Sequence, residues 1–272
     1  MEKKIGIFVT HGMGNNKQSF ADDMIKEISK RINNEGCNPD EVAWGICCWD
    51  EIMRPKGDAL FKKMDKLGLR WEEVRKFCIA AFGDAVAYQE SYYEHGEAYD
   101  LIHKCIFDTL TDLRASLGSD KPLIMMAHSL GCHIISNYIW DRQHGYDNHL
   151  YGGTDFFDLK TLTGIIMSGS NIPLFTLRYN QILSIDFPHQ EFAFPKLRNM
   201  AKWQNYYDKD DPLGFPMKVL SPSYEKNVTE DIEVNVGSFL TCWNPICHLE
   251  YRIDDNFTKP VAKYITEILK VI

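Results

Sequence analysis

The stretch Met125–Ile134, MMAHSLGCHI, joins an apolar run to a helical pattern through a single serine. Upstream, Leu123 to Ala127 has the continuous apolar character of a buried strand; downstream, LGCHIISNYIW sets Ile134, Ile135, Tyr138 and Ile139 at helical spacing. Ser129 therefore falls on a strand-to-helix turn. A residue at the tip of such a turn is held in a strained backbone conformation, and only small residues two positions to either side let strand and helix approach so closely. Ala127 and Gly131 meet that demand. The turn also sets Ser129 at the amino end of a helix, where unpaired N–H groups and the helix dipole favour developing negative charge, and the N–H of Leu130 would point at it. Ser129 has two readings, a nucleophile or a polar residue of a tight turn.

Outward from this turn, short β-rich runs alternate with helical periodicity, the pattern of a parallel sheet covered by helices. The expected strands are Ile5 to Thr10, Val42 to Trp49, Leu123 to Ala127, Leu162 to Met167, Trp203 to Tyr207 and Ile232 to Val236. The expected helices are Ser19 to Ile32, Leu101 to Leu117, Gly131 to Arg142 and Lys259 to Val271; the last carries Ala262, Ile265, Ile268 and Leu269 on one face. The fold class is thus α/β, a mostly parallel sheet sandwiched by helices, in one domain over residues 1–272. Ligands of such sheets bind beyond the carboxyl ends of the strands. Two segments exceed the alternating unit. Residues 51–96 are helical and rich in large apolar side chains, among them Leu60, Trp71, Val74, Phe77, Phe82 and Tyr88, and residues 171–200 are rich in Phe, Pro and Leu. Each reads as a lid-like insertion over an apolar pocket or as extra core and a long connection.

Thirty basic against thirty-eight acidic residues give a net charge of -8, with no block of Lys and Arg to follow a phosphate backbone, so nucleic acid is not expected as a partner. Ile5 to Val9 is too short for a signal-peptide core, and no run is long enough to span a bilayer. With eight cysteines and no secretory signal, reduced core thiols and a cytoplasmic location are expected. Cys242, Cys247 and His248 in CWNPICH lack the paired spacing of a zinc site, so no metal is expected.

The first strand runs directly into VTHGMG, Val9 to Gly14. Gly12 and Gly14 let this backbone come close to a substrate oxygen, and the N–H of Met13 is a candidate second oxyanion donor beside Leu130. The alternative is a plain glycine turn pinned by His11. Neither GxGxxG nor GxxxxGK[ST] is present, which disfavours a nucleotide site.

With HGMG after the first strand, AHSLG after a central one, DP in YYDKDDPLG and a late histidine in CWNPICHLEY, the sequence resembles an α/β-hydrolase of the serine esterase and lipase kind. It departs from that pattern in Ala127, where glycine is usual, and in lacking the antiparallel strands that often open the sheet. The resemblance implies a triad in the order serine, acid, histidine. The acid belongs after the strand Trp203 to Tyr207, where Asp211, mounted before Pro212, is the first candidate and Asp208 its rival. The base belongs after the last strand, where His248 remains; an imidazole with a pKa of about 6.5 can take and return the serine proton at neutral pH. His128, beside the serine, is expected to pack or hydrogen-bond within the turn. The implied activity is cleavage of a carboxylic ester, small or lipid-like, without a cofactor; a thioester or phospholipid substrate, or a binding protein on the same scaffold, are the alternatives.

Overall fold

The computed structural model describes residues 2–13, 17–65, 67, 70–88, 97–145, 153–238, 242 and 245–272. Among them six strands form one sheet: β1 (Ile5–Thr10), β2 (Val42–Cys47), β3 (Leu123–His128), β4 (Leu162–Ser168), β5 (Lys202–Asp208) and β6 (Glu230–Val234). Their order is β2-β1-β3-β4-β5-β6, and every neighbouring pair is parallel. Parallel neighbours need crossovers over a face of the sheet, and helices supply them. The chain steps from β1 outward to β2 and then returns to the far side of β1 for β3, so the strand order reverses between β1 and β3. In open α/β sheets the crevice beyond that reversal is where a ligand fits. The turns after β1 and β3, which hold Gly12 and Ser129, flank it.

β1, β3 and β4 are buried on both faces, which is why they read as near-continuous apolar runs. Alternation still decides which face each residue serves. Ile124 and Met126 of β3, with Ile5, Ile7 and Val9 of β1, pack against α1 (Asp22–Asn34) and the last helix through Ile28, Ile32, Val261, Ile265 and Ile268. Leu123, Met125 and Ala127 point the other way, toward α4 (Glu97–Leu117) and α5 (Leu130–His144), where they meet Ile106, Leu110, Ile134 and Tyr138. All of these side chains are buried, and truncating any of the isoleucines to alanine is a cost of about 2–5 kcal/mol.

The segment after β2 forms two helices, α2 (Asp50–Asp65) and α3 (Glu72–Tyr88), which pack on each other and on α4. Met53 and Tyr88 are buried, whereas Leu60, Leu67, Trp71 and Val86 are exposed. Residues 89–96, and the side chains of Val74, Phe77 and Phe82, lie outside the described part. The segment after β4 begins with a short helix, α6 (Ile172–Thr176), and continues as extended chain. It adds to both cores, Ile185 and Phe187 on the α5 side and Phe192 and Leu197 on the α1 side. A further short helix, α7 (Pro222–Asn227), packs on the α5 side through Tyr224.

Several boundaries differ from the sequence expectation. The first helix is preceded by a 3₁₀ turn, Gln18–Ala21, and α4 begins four residues early. The last helix, α8, spans Asp255–Leu269 rather than Lys259 to Val271, because the Asp254 side chain accepts the Asn256 N–H and caps it there; Pro260 lies inside it. β2 stops at Cys47 because Trp49 is drawn into a contact with His11, and the last strand is shifted to Glu230–Val234, where β5 pairs with it. The described cysteines are free thiols. No helix among the described residues is long and apolar enough to cross a membrane.

Candidate active site

Ser129 occupies φ 53°, ψ -125°, a left-handed conformation that an L-residue adopts only under constraint. The constraint is the passage from β3 to α5 within one residue: the Ser129 N–H donates to Ser168 O at 3.0 Å and its carbonyl accepts the Cys132 N–H at 2.9 Å. A serine before a helix ordinarily accepts a hydrogen bond from the first turn. Ser129 makes no such capping bond; its hydroxyl instead donates to Nε2 of His248 at 2.8 Å. The serine is 2 % exposed and the histidine 7 %.

His248 lies in a 3₁₀ turn, Pro245–Leu249, beyond β6, and its other ring nitrogen meets Asp211. Nδ1 stands 2.9 Å from Oδ1 and 2.8 Å from Oδ2. A carboxylate can only accept, so Nδ1 carries the proton and Nε2 is left with its lone pair toward Ser129. Asp211 is buried and also accepts from the Leu213 N–H at 2.9 Å and the Tyr251 hydroxyl at 2.9 Å. Burial pushes its carboxyl up, but the His248 bond and charge, with the Leu213 and Tyr251 bonds, outweigh that and hold it below the usual carboxylate value. Tyr251 stays protonated: burial and the Asp211 charge both push its hydroxyl up. Asp208 does different work. Its carboxylate accepts the N–H groups of Val236 at 2.7 Å and Asp210 at 2.9 Å, and so ties the ends of β5 and β6 together.

The loop after β1 is built around His11. Its Nε2 accepts the Trp49 N–H at 3.2 Å, which makes Nδ1 the donor, to Gly12 O at 2.7 Å. Trp49 stacks on the ring at 4.5 Å and donates its indole N–H to His11 O. Burial lowers the His11 pKa to about 4, so it remains a neutral brace at neutral pH. This loop lies hard against the serine turn. A methyl at Gly12 would come 2.5 Å from Ser129 Cβ, and one at Gly131 would come 2.4 Å from His11 O. Gly131 is thus the small residue that lets α5 start beside the β1 loop. Gly14 lies outside the described residues.

His128 is buried on the other side of His248, ring centroids 4.7 Å apart, with Nδ1 donating to Ser168 O at 3.1 Å. Burial first, then the neighbouring His248 and Arg252, push its pKa well below the ordinary value. A neutral ring therefore faces His248, and a proton arriving there meets no like charge from His128.

Of the residues singled out in the sequence, the structure brings together Ser129, His248 and Asp211, with Gly12 and Gly131 in close approach and His11 and His128 as braces. Two further residues, Gly169 and Tyr251, complete the contacts around His248 and Asp211. Gly169, at φ +54° after β4, has no room for a side chain: a Cβ would lie 3.1 Å from Asp211 Oδ2 and from Nδ1 and Cε1 of His248. Its signal was a glycine just past a strand at the carboxyl edge. Tyr251, three residues beyond His248, carried none.

No family model matches the chain, and no curated protein matches it by sequence. Among solved structures, a protein from Xanthomonas campestris pv. campestris assigned to the α/β superfamily of hydrolases aligns at TM-score 0.39 and 8 % identity, over 98 % of this chain and 99 % of its own. One of two metagenome-derived lipolytic enzymes, LipS and LipT, aligns at TM-score 0.42 and 12 % identity, over 100 % and 95 %. Scores of this size leave the assignment to the topology itself. The parallel order β2-β1-β3-β4-β5-β6, with a left-handed serine between its central strand and the following helix, gives this chain the α/β-hydrolase fold.

Proposed function

We propose that the protein is a serine hydrolase that cleaves a carboxylic ester through an acyl-enzyme. Ser129 attacks the ester carbonyl as its proton passes to Nε2 of His248. Asp211, ionised and doubly hydrogen-bonded, holds the ring in the accepting tautomer and stabilises the imidazolium that forms. The tetrahedral oxyanion is received by the N–H groups of Met13 and Leu130, the first on a loop braced by His11, the second at the start of α5 where the helix dipole favours negative charge. Collapse expels the alcohol, which takes the proton from His248, and water then repeats the sequence to release the acid.

The observation that carries this reading is the unbroken run Asp211–His248–Ser129, at 2.8 Å and 2.8 Å, ending on a serine whose backbone is strained and whose hydroxyl forgoes its capping role. Strain at a single non-glycine residue costs about 1–3 kcal/mol and persists where a function holds it. The test is turnover of p-nitrophenyl acetate by the purified protein. Ser129→Ala and His248→Gln should each reduce kcat by about 10⁴-fold or more while leaving the melting temperature near that of the unaltered protein. Full turnover by folded Ser129→Ala would overturn the proposal.

A further inference from the structure

A cleft of about 200 Å³ opens between α5 and the chain that follows β4. On one wall stand His133, Asn137 and Trp140, at i, i+4 and i+7 along a single face of α5. Ser129 immediately precedes α5, four residues before His133. The other wall holds Ile172, Phe175, Tyr179 and Ile182, and it starts three residues after Gly169, where an added Cβ would meet both His248 and Asp211. Both walls therefore leave the candidate active site side by side. At a rise of about 1.5 Å per residue, the α5 wall runs from roughly 6 Å to roughly 16 Å below the serine.

The chemistry of the lining is uncharged throughout. None of the residues around the cleft is Asp, Glu, Lys or Arg. The one titratable ring at the end nearest the serine, His133, stacks face to face on Phe175 at 4.0 Å and 4° and accepts from the Asn137 amide at 3.3 Å. Burial keeps it neutral, with its pKa lowered to about 3. A charged group would find no counter-charge among the lining residues, whereas a hydrocarbon chain can lie along Trp140, Ile172, Phe175, Ile182, Leu183 and Ile185.

We infer that this cleft receives the acyl chain of the ester, and that the chain is unbranched and of about eight to twelve carbons. The length follows from the geometry. An extended alkyl chain advances about 1.3 Å per carbon, the projection of a bond of about 1.5 Å. Chains of two to four carbons end short of the His133–Phe175 pair, and those of about twelve reach Trp140. The inference rests on Ser129 being the nucleophile, and the experiment reads the two claims separately.

The probes are p-nitrophenyl ethyl alkylphosphonates bearing a methyl or a decyl group on phosphorus. Ser129 Oγ attacks phosphorus, p-nitrophenolate leaves with the P–O bonding pair, and the Oγ proton passes to His248, so that the adduct is a stable phosphonyl ester. The rate of p-nitrophenolate release, with the adduct located by peptide mass, is measured for each probe and divided by its rate with hydroxide. The decyl probe should label Ser129 at least about tenfold faster than the methyl probe. Asn137→Phe and Gln181→Trp, which place bulk in the cleft, should each lower that decyl-to-methyl ratio about tenfold. Labelling of Ser129 by both probes at equal rates, or a ratio untouched in folded cleft variants, overturns the cleft and leaves the nucleophile standing. Absence of labelling by either probe overturns both. If a variant fails to fold, the ratio in the unaltered protein decides alone.

Discussion

Consider Asn in place of Asp211, set beside the same change at Asp208. With its oxygen in the Oδ1 place, an asparagine at 211 still accepts the Leu213 N–H, and its amide nitrogen then stands where Oδ2 was, 2.8 Å from His248 Nδ1 and 2.9 Å from the Tyr251 hydroxyl. Nδ1 then faces both the amide oxygen at 2.9 Å and the amide donor at 2.8 Å; the donor favours the ring proton on Nε2, and the neutral amide no longer stabilises the imidazolium. A protonated Nε2 has no lone pair for the Ser129 hydroxyl. Loss of the productive tautomer costs about 10⁴-fold in kcat in Ser-His-Asp enzymes, which is about 5.4 kcal/mol of barrier. Asp208→Asn removes no partner of His248. It leaves the N–H of Val236 or of Asp210 opposed by an amide, at a cost of about 1–3 kcal/mol in stability, and kcat should stay within about threefold. The assay is kcat on a soluble p-nitrophenyl ester together with the melting temperature of each variant. A folded Asp211→Asn protein that keeps kcat within about tenfold of the unaltered one would refute the reasoning, as would an Asp208→Asn protein with the larger kcat loss.

Other outcomes follow from the same contacts. Ser129→Gly removes a Cβ from a left-handed conformation, so it should be more stable than Ser129→Ala by about 1–2 kcal/mol in urea unfolding while both are inactive; equal stability would mean the turn is not strained. Gly169→Ala drives a methyl against Asp211 and His248 at a positive φ, and should lower kcat more than about tenfold with a modest fall in melting temperature; unchanged kcat would contradict the packing. Tyr251→Phe takes a donor from Asp211 and an acceptor from the Asp208 N–H at 2.8 Å, and chemical unfolding should register a loss of about 1–3 kcal/mol. The buried rings of His11, His103 and His133 have pKa values lowered, chiefly by burial, to about 4, 3 and 3. Unfolded histidines bind protons below about pH 6.5, so stability is full above that value and is lost as pH falls toward 4. The slope near pH 5 should approach about 4 kcal/mol per pH unit for three protons, and a urea midpoint flat between pH 7 and 5 would contradict it.

The serine turn could be read from sequence because its demands are local: a strand, a helix, and small residues at 127 and 131 where the backbones meet. The parallel sheet was legible for a similar reason, since strands buried on both faces are apolar at nearly every position, as β1 and β3 are before Thr10 and His128. The choice between Asp208 and Asp211 was not legible. Both carboxylates are buried, three residues apart, and what separates them is which one the chain from 245 to 251 comes down upon, a matter of tertiary structure. Tyr251 and Gly169 were hidden in the same way, one on each side of a contact between segments about eighty residues apart. Within 51–88, which the sequence leaves between a lid and extra core, Tyr88 is buried whereas Leu60, Leu67 and Trp71 are exposed.

The central claim is that Ser129 is an activated nucleophile, and fluorophosphonate labelling with peptide mapping of the adduct tests it most directly. The account predicts one adduct per chain, on the peptide holding Ser129, and its disappearance when His248 is replaced by Gln. A folded protein that takes no label, or takes it equally well without Ser129, would contradict the claim.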